Sequence, residues 1–392
     1  MTSVRCYVHP DMEGLTSCFV CLKPICNACS HMDKMHTVCV SCALQRRKAR
    51  KVKGVVFAAV AALVVGGGAF GVTQIEAPFD YGEHKYEVRK LRDLVEKEPC
   101  DRPKTLELLK LLNRAGDYRG TLERADTFFA ECGDWYRLRW ETFHAHKQLS
   151  EFDKAVVEAT KLIEHEREDQ DYWWWRGEMY AELGDWEKAA HDFQQCTSLL
   201  PTANYCPFDL ADALEKLGRY CDAIFPIEQY RHHHPKWRDD ARIKARLERY
   251  VREGKCDVGA EGRAVIRLDR DTGVVKARVK VNGKEGTFLV DTGASYLTLS
   301  KKFARELGVT PSAEQTLLLK SAAGVHAAQL AVVDKVEVKG IKSKGVEARR
   351  VDAAIMDDLL DDDVDGLLGI SFLSRFELNW DWDKGQLVME AR

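Results

Sequence analysis

Among the 392 residues of this sequence, the run Asp291-Thr292-Gly293-Ala294-Ser295 is the one best suited to acid–base chemistry. It follows Phe288, Leu289 and Val290, so a carboxylate is expected at the end of an apolar strand, where its ionisation depends on its surroundings. Gly293 lets the backbone turn sharply and approach a neighbour closely. A second apolar–glycine element, Leu367-Leu368-Gly369, lies within DGLLGISFL at 365–373. Asp271-Thr272-Gly273 repeats the three-residue spelling, but a polar stretch, Arg267 to Arg270, precedes it and a strand follows; that is β-turn chemistry, and it is set aside as a catalytic candidate. A structural turn acid in a binding module is the alternative for Asp291.

A different chemistry gathers at the amino terminus. Cys6 with His9, Cys18 with Cys21, Cys26 with Cys29 and Cys39 with Cys42 form four pairs, each with two residues between its members. Such a pair lets two side chains from one tight turn reach a single metal ion, and four pairs make two tetrahedral zinc sites. So short a segment has too little core to fold alone, and ligation supplies the missing free energy. Both sites would be full, which makes the zinc structural, with no metal assigned to catalysis. The alternative is a disulfide cluster, which seven cysteines, an odd number, disfavour.

These groups need elements to hold them. From about 258 the pattern turns to β-branched residues with period two: VVKARVKV at 274–281 reads as a half-buried strand, and Asn282-Gly283 with Gly286 as a turn. Upstream, a fixed spacing appears. Gly116-Asp117-Tyr118, Ser150-Glu151-Phe152, Gly184-Asp185-Trp186 and Gly218-Arg219-Tyr220 recur every 34 residues, as do Ala155, Ala189 and Ala223. Four stacked helix pairs follow, each burying an apolar face on the next. Trp173, Trp174 and Trp175 read as inter-helix packing, and His232-His233-His234 as a solvated helix end with metal binding as the alternative.

Residues 54–75, GVVFAAVAALVVGGGAFGVTQI, carry no charge, and as a helix they cover the roughly 30 Å hydrocarbon core of a bilayer. A buried core helix is the alternative, and the ligand-rich segment ahead of it disfavours a signal peptide. Arg46, Arg47, Lys48, Arg50, Lys51 and Lys53 precede the stretch, whereas Glu76, Asp80 and Glu83 follow it, so the amino terminus is expected in the cytoplasm and residues 76–392 outside. The net charge of −3 hides this division: residues 1–53 carry +6, and everything after residue 75 carries −9, which disfavours a nucleic-acid-binding body. Six cysteines, Cys100, Cys132, Cys196, Cys206, Cys221 and Cys256, lie beyond the span, and up to three disulfides are open to them in fifteen possible connectivities.

Three family resemblances attach to these motifs. The Asp291–Ser295 run, Leu367-Leu368-Gly369 and the ELNWDWDKGQLVM segment at 377–389 resemble a single-lobe retropepsin-like aspartic protease of bacterial type over roughly 262–392. The 34-residue unit, best developed from Asp171 to Pro201, resembles the tetratricopeptide repeat. Residues 6–42 resemble a B-box-type cross-braced zinc finger. The last resemblance implies one zinc on Cys6, His9, Cys26 and Cys29 and another on Cys18, Cys21, Cys39 and Cys42, with His31 and His36 as spares or His36 replacing one cysteine in the second site.

The protease resemblance implies an all-β lobe with Asp291 catalytic, Thr292 bracing paired loops, Gly293 giving close approach and Ser295 bonding the outer carboxylate oxygen. It also implies a flap hairpin, matched here to Ser321, Ala322, Ala323 and Gly324. One lobe supplies one acid where the mechanism needs two, so a homodimer is implied. The acidic run Asp357, Asp358, Asp361, Asp362, Asp363 and Asp365 reads as a solvated loop, with contact to metal or basic substrate as the alternative.

The expected architecture is therefore multidomain: a zinc-bound finger at 1–45, a basic segment at 46–53, one transmembrane helix at 54–75, a linker or helix at 76–101, an all-α repeat solenoid at 102–250 and an all-β lobe at 258–392. The expected function is a membrane-anchored aspartic endopeptidase acting on peptide or protein, with a protein partner or substrate on the repeats. The rival reading is a non-catalytic membrane scaffold.

Overall fold

The computed structural model describes residues 79–392 apart from 269–274, 312–315, 322–323, 342 and 357–362, together with the backbone of four short strands nearer the amino terminus. The chain divides into two compact units, 1–78 and 79–392. In the first, β1 (Thr16–Ser17) pairs antiparallel with β2 (Pro24–Ile25), and β3 (Ser30–Asp33) with β4 (His36–Cys39). The side chains of the eight zinc-ligand candidates, the basic segment 46–53 and the apolar stretch 54–75 lie outside the described residues, as does Asp271-Thr272-Gly273. Among the described residues, no helix is long and apolar enough to cross a membrane, and no group of His, Cys, Asp and Glu could hold a metal ion.

The second unit begins with a helical stack. Helix α1 (Lys85–Lys97) falls in the segment read as linker or helix, and its Val88, Leu91 and Val95 join Leu108 and Leu112 in one apolar cluster. Four pairs follow: α2 (Arg102–Ala115) with α3 (Tyr118–Cys132), α4 (Tyr136–Gln148) with α5 (Phe152–His165), α6 (Gln170–Leu183) with α7 (Trp186–Leu199), and α8 (Cys206–Lys216) with α9 (Ile224–His233). α10 (Ala241–Gly254) closes the stack.

The 34-residue spacing has a backbone cause. Gly116, Ser150, Gly184 and Gly218 all sit just past a helix end with φ of +89°, +61°, +81° and +71°, the left-handed conformation that stops a helix. After the first three stops the next residue starts the following helix: the Asp117 carboxylate accepts from Gly120 N–H, and Asp185 accepts from Lys188 N–H. Glu151, at the equivalent place, makes no such cap. Ala155, Ala189 and Ala223 are fully buried, which lets neighbouring helices approach. Residues one repeat apart meet: the Arg249 guanidinium lies 2.7 Å from the Glu215 carboxylate.

Trp173 and Trp174 are buried, and Trp175 packs at a tilt on Trp140 with ring centroids 3.8 Å apart, so the tryptophans are packing residues. The three histidines differ from the solvated end expected of them. Each is half-buried, because the β-domain and α10 pack around the end of α9.

The β-domain comprises β5 (Ala260–Arg267), β6 (Lys276–Val281), β7 (Lys284–Val290), β8 (Leu297–Ser300), β9 (Thr316–Ser321), β10 (Gly324–Val338), β11 (Gly345–Met356), β12 (Gly366–Leu368), β13 (Phe376–Asp381) and β14 (Gln386–Ala391), with α11 (Lys301–Leu307) and α12 (Ile370–Leu373). Six strands close on themselves in the order β6, β7, β12, β8, β11, β10 and back to β6. Closure leaves these six strands without an open edge, and the edges of the sheet fall on β9 and β13. β5, β14 and β13 extend one side from β11, and β9 pairs with the first half of β10. Alternation of inward residues fills the barrel: Ala277, Val279 and Val281 of β6 are buried against Phe288, Leu299, Val336 and Leu368.

Candidate active site

β12 runs parallel to β7, with Leu368 opposite Val290, and antiparallel to β8, with Leu367 opposite Thr298. The three-residue β12 therefore lies between the strand that leads into Asp291 and the strand that leaves Ser295. Its two flanks fix the loop between them. On one side Asp291 N–H donates to the Leu368 carbonyl at 3.1 Å; on the other, Ile370 N–H donates to Ala294 O at 2.8 Å and Ser371 N–H to Ser295 O at 3.0 Å. The Ser371 hydroxyl accepts from Leu297 N–H at 2.7 Å.

Gly369 makes this approach possible. A Cβ there would meet the Tyr296 carbonyl oxygen at 2.0 Å and the Ala294 carbonyl oxygen at 2.7 Å, both backbone atoms with no room to yield. The motif Leu367-Leu368-Gly369 thus works by letting two backbones touch.

Asp291 is half-buried at the strand end, while Thr292 and Gly293 at the loop apex are exposed. Among the described residues the donor to the Asp291 carboxylate is Gly293 N–H at 2.8 Å, in place of the Ser295 hydroxyl that the resemblance assigns. The acidic run also separates by position. Asp363 makes an exposed ion pair with Lys276 at 2.6 Å, whereas Asp365 is a structural residue: its carboxylate accepts from Thr287 N–H at 2.8 Å, and its backbone bonds both Thr287 and Ser300. That corrects the reading of Asp365 as part of a solvated loop. Asp357, Asp358, Asp361 and Asp362 lie outside the described residues.

β9 and β10 form the hairpin matched to the flap. Ser321 stands opposite Gly324, whose φ is +124°, and Ala322 and Ala323 lie outside the described residues. Leu317 and Ala328 from the stem of this hairpin share an apolar cluster with Tyr296, the residue after Ser295, and with Phe225 of α9.

The helical stack reaches this cluster with polar groups as well. The Gln195 amide donates to Thr316 O at 2.6 Å and accepts from Leu318 N–H at 3.0 Å, so one side chain pairs with the free edge of β9 as a neighbouring strand would. Gln194 donates to the Tyr296 hydroxyl at 2.8 Å. Burial holds that phenol well above its ordinary range, so it stays neutral and able to bond. Gln194, Gln195, Phe225 and Tyr296 carried no signal in the sequence, because their partners lie 71 to 123 residues away.

Two family models match parts of the chain. The Aspartyl protease family model matches residues 277–372, from the strand ahead of the Asn282-Gly283 turn to the helix after Gly369. The Tetratricopeptide repeat model matches residues 170–203, which hold α6 and α7. The chain carries an aspartyl-protease domain and a tetratricopeptide repeat.

Solved structures resemble parts of the chain. A retropepsin-like aspartic protease from Rickettsia conorii is 26% identical over 35% of this chain and 95% of its own, with a TM-score of 0.26. MamA is 16% identical over 39% of this chain and 84% of its own, with a TM-score of 0.36. A tetratricopeptide repeat protein from Parabacteroides merdae is 15% identical over 42% and 65%, with a TM-score of 0.34. None of the curated proteins matches the chain.

All three disulfides open to the later cysteines are formed in the structure: Cys100–Cys132, Cys196–Cys206 and Cys221–Cys256. The first and last join residues about one repeat apart, and the middle one spans the α7–α8 connection.

Proposed function

We propose that the aspartyl-protease domain is an endopeptidase whose active site is completed by a second copy of the chain. The supporting observation is the placement of Asp291: a half-buried carboxyl at the end of a braced strand, beside an exposed apex at Thr292 and Gly293. An exposed apex is free to meet its own copy across a two-fold axis. Two carboxylates at that axis cannot both ionise easily, so they share one proton. The ionised member takes a proton from a water held between them; that water attacks the peptide carbonyl carbon while the other acid protonates the carbonyl oxygen. Collapse of the resulting tetrahedral species releases amine and carboxylic acid, with no covalent enzyme intermediate. The substrate lies extended beside the hairpin at 321–324, and the repeats hold protein substrate or partner.

The test is cleavage of an unfolded peptide by the purified full-length chain and by Asp291→Asn. The variant is expected to lose about 10³-fold or more in rate. Equal rates would assign the domain to binding and favour the scaffold reading.

The proposal extends to the rest of the chain. Residues 54–75 anchor it in a membrane with residues 76–392 outside, a reading that the three disulfides in the outer part favour. Thiol labelling of reduced intact cells that reaches Cys6 to Cys42 first would reverse the orientation. Two structural zinc ions sit on Cys6, His9, Cys26 and Cys29 and on Cys18, Cys21, Cys39 and Cys42; less than one zinc per chain in elemental analysis would reject them.

A further inference from the structure

Where α9 and α10 meet β11, α12 and the last residue, the protein forms a half-open cavity of about 290 Å³, at the lower end of the range for small-molecule sites. Its lining is unusually basic. Arg231, Arg238, Arg350, Arg375 and Arg392 face it together with His232, against two carboxylates, Glu228 and Asp352. Asp291, Thr292 and Gly293 are not part of the lining, so the cavity is separate from the candidate active site.

The structure satisfies only some of these cations. Arg231 pairs with Glu228 at 2.8 Å and donates to the Arg238 carbonyl at 2.9 Å. Arg350 pairs with Asp222. Arg375 is spent on backbone, donating to the carbonyls of Val258, Arg349 and Arg350.

Arg238 and Arg392 are left to face each other. Arg238 Nε and His232 Nδ1 are buried without a hydrogen-bond partner. Arg392 stands at the exposed mouth, where partial burial and the neighbouring Arg238 lower its guanidinium from its ordinary range and Glu228 and Glu377 oppose that shift. Burial of this kind normally comes with a partner for each polar group.

We propose that this cavity binds a small multivalent oxyanion, a phosphate ester or a polycarboxylate, held by Arg238, Arg392 and His232. The excess of positive charge excludes a cation. The orphan donors argue against an apolar guest, which would leave them unpaired. A guanidinium presents two parallel N–H groups that match two oxygens of a phosphate or a carboxylate. Arg231 and Arg375, already tied to protein groups, hold the wall rather than the ligand. The proposal stands whether or not Asp291 cleaves peptides.

Calorimetric titration of the purified full-length chain with inorganic pyrophosphate, and separately with citrate, tests it at constant ionic strength. One equivalent per chain is expected, with saturation by at least one of the two anions. Arg238→Gln and Arg392→Gln should each weaken binding about tenfold or more. Asp352→Asn, which removes a facing carboxylate, should tighten it, and this gain cannot arise from misfolding. Saturation by pyrophosphate alone assigns a phosphate-type ligand, saturation by citrate alone a carboxylate-type ligand, and saturation by both a site that reads charge. No saturable binding, or binding unchanged in all three variants, overturns the assignment; the latter would place the anion on another basic segment, such as 46–53.

Discussion

The helical stack and the barrel of the same unit solve the problem of burial in opposite ways. In the stack, each helix meets a neighbour close in sequence, and the same four backbone stops at 116, 150, 184 and 218 recur at a fixed spacing. In the barrel, β12 draws together β7 and β8 across some 70 residues, and the Asp291 loop is held by atoms of 368–371. Errors in a stack stay local, because each repeat contacts only its neighbours. Errors in the barrel propagate to the Asp291 loop. The candidate site lies on the non-local side, where a few backbone contacts between distant segments fix one carboxyl.

Four substitutions probe that contrast. The largest effect is expected from Gly369→Val, whose side chain would collide with the carbonyls of Tyr296 and Ala294; a loss of about 3 kcal/mol or more is expected in denaturant unfolding, along with activity. A loss below 1 kcal/mol would show that the loop is held elsewhere.

Next comes Asp352, on the barrel side of the seam. Burial lifts its carboxyl to about 6, Asp222 adds to the rise, and Arg350 and Arg375 oppose it. The folded protein then holds this proton more tightly than the unfolded chain does, so the contribution to stability is full below about pH 4 and is lost as pH rises through about 6. Asp352→Asn should flatten that part of the stability profile and raise stability at pH 7 by about 2–3 kcal/mol. An unchanged profile would place the carboxyl in contact with bulk water.

Gln195→Ala tests the seam from the helical side. It strands the Leu318 N–H and the Thr316 carbonyl at the edge of β9, and a loss of about 2 kcal/mol is expected in thermal unfolding. The smallest effect belongs to the stack alone. Ser150 is the one member of its set with a side chain at positive φ, and Ser150→Gly should stabilise by about 1 kcal/mol without touching activity.

The sequence disclosed whatever repeats or alternates. The stops at 116, 150, 184 and 218, the buried Ala155, Ala189 and Ala223 and the strand at 276–281 were all legible, because their causes lie within a turn or a strand, whereas the segment of the terminal hairpin stood out only through the protease resemblance. The Asp291 loop was legible for the same reason, an apolar strand running into a glycine turn. Its support was only half visible. Gly369 could be singled out, but not the carbonyls it approaches, and Ser371 and Asp365 looked like ordinary polar residues although their side chains bond the backbones of Leu297 and Thr287.

The seam left no trace in the sequence. Gln195 and Leu318 are 123 residues apart, and nothing local distinguishes a glutamine that caps a strand edge from one in solvent. The cysteine count allowed three disulfides without choosing partners; the repeat spacing is the physical reason that Cys221 meets Cys256.

The pairing of Asp291 with its twin is the claim on which the chemistry depends. It is tested most directly by mixing purified wild-type chain with Asp291→Asn in equal amounts under dissociating conditions, allowing re-association, and measuring peptide cleavage per total chain. If two copies share one site and only matched pairs cut, activity should fall to about one quarter of the wild-type value, the fraction of wild-type pairs in a random mixture. A fall to about one half would show that each chain cuts alone, and would contradict the account.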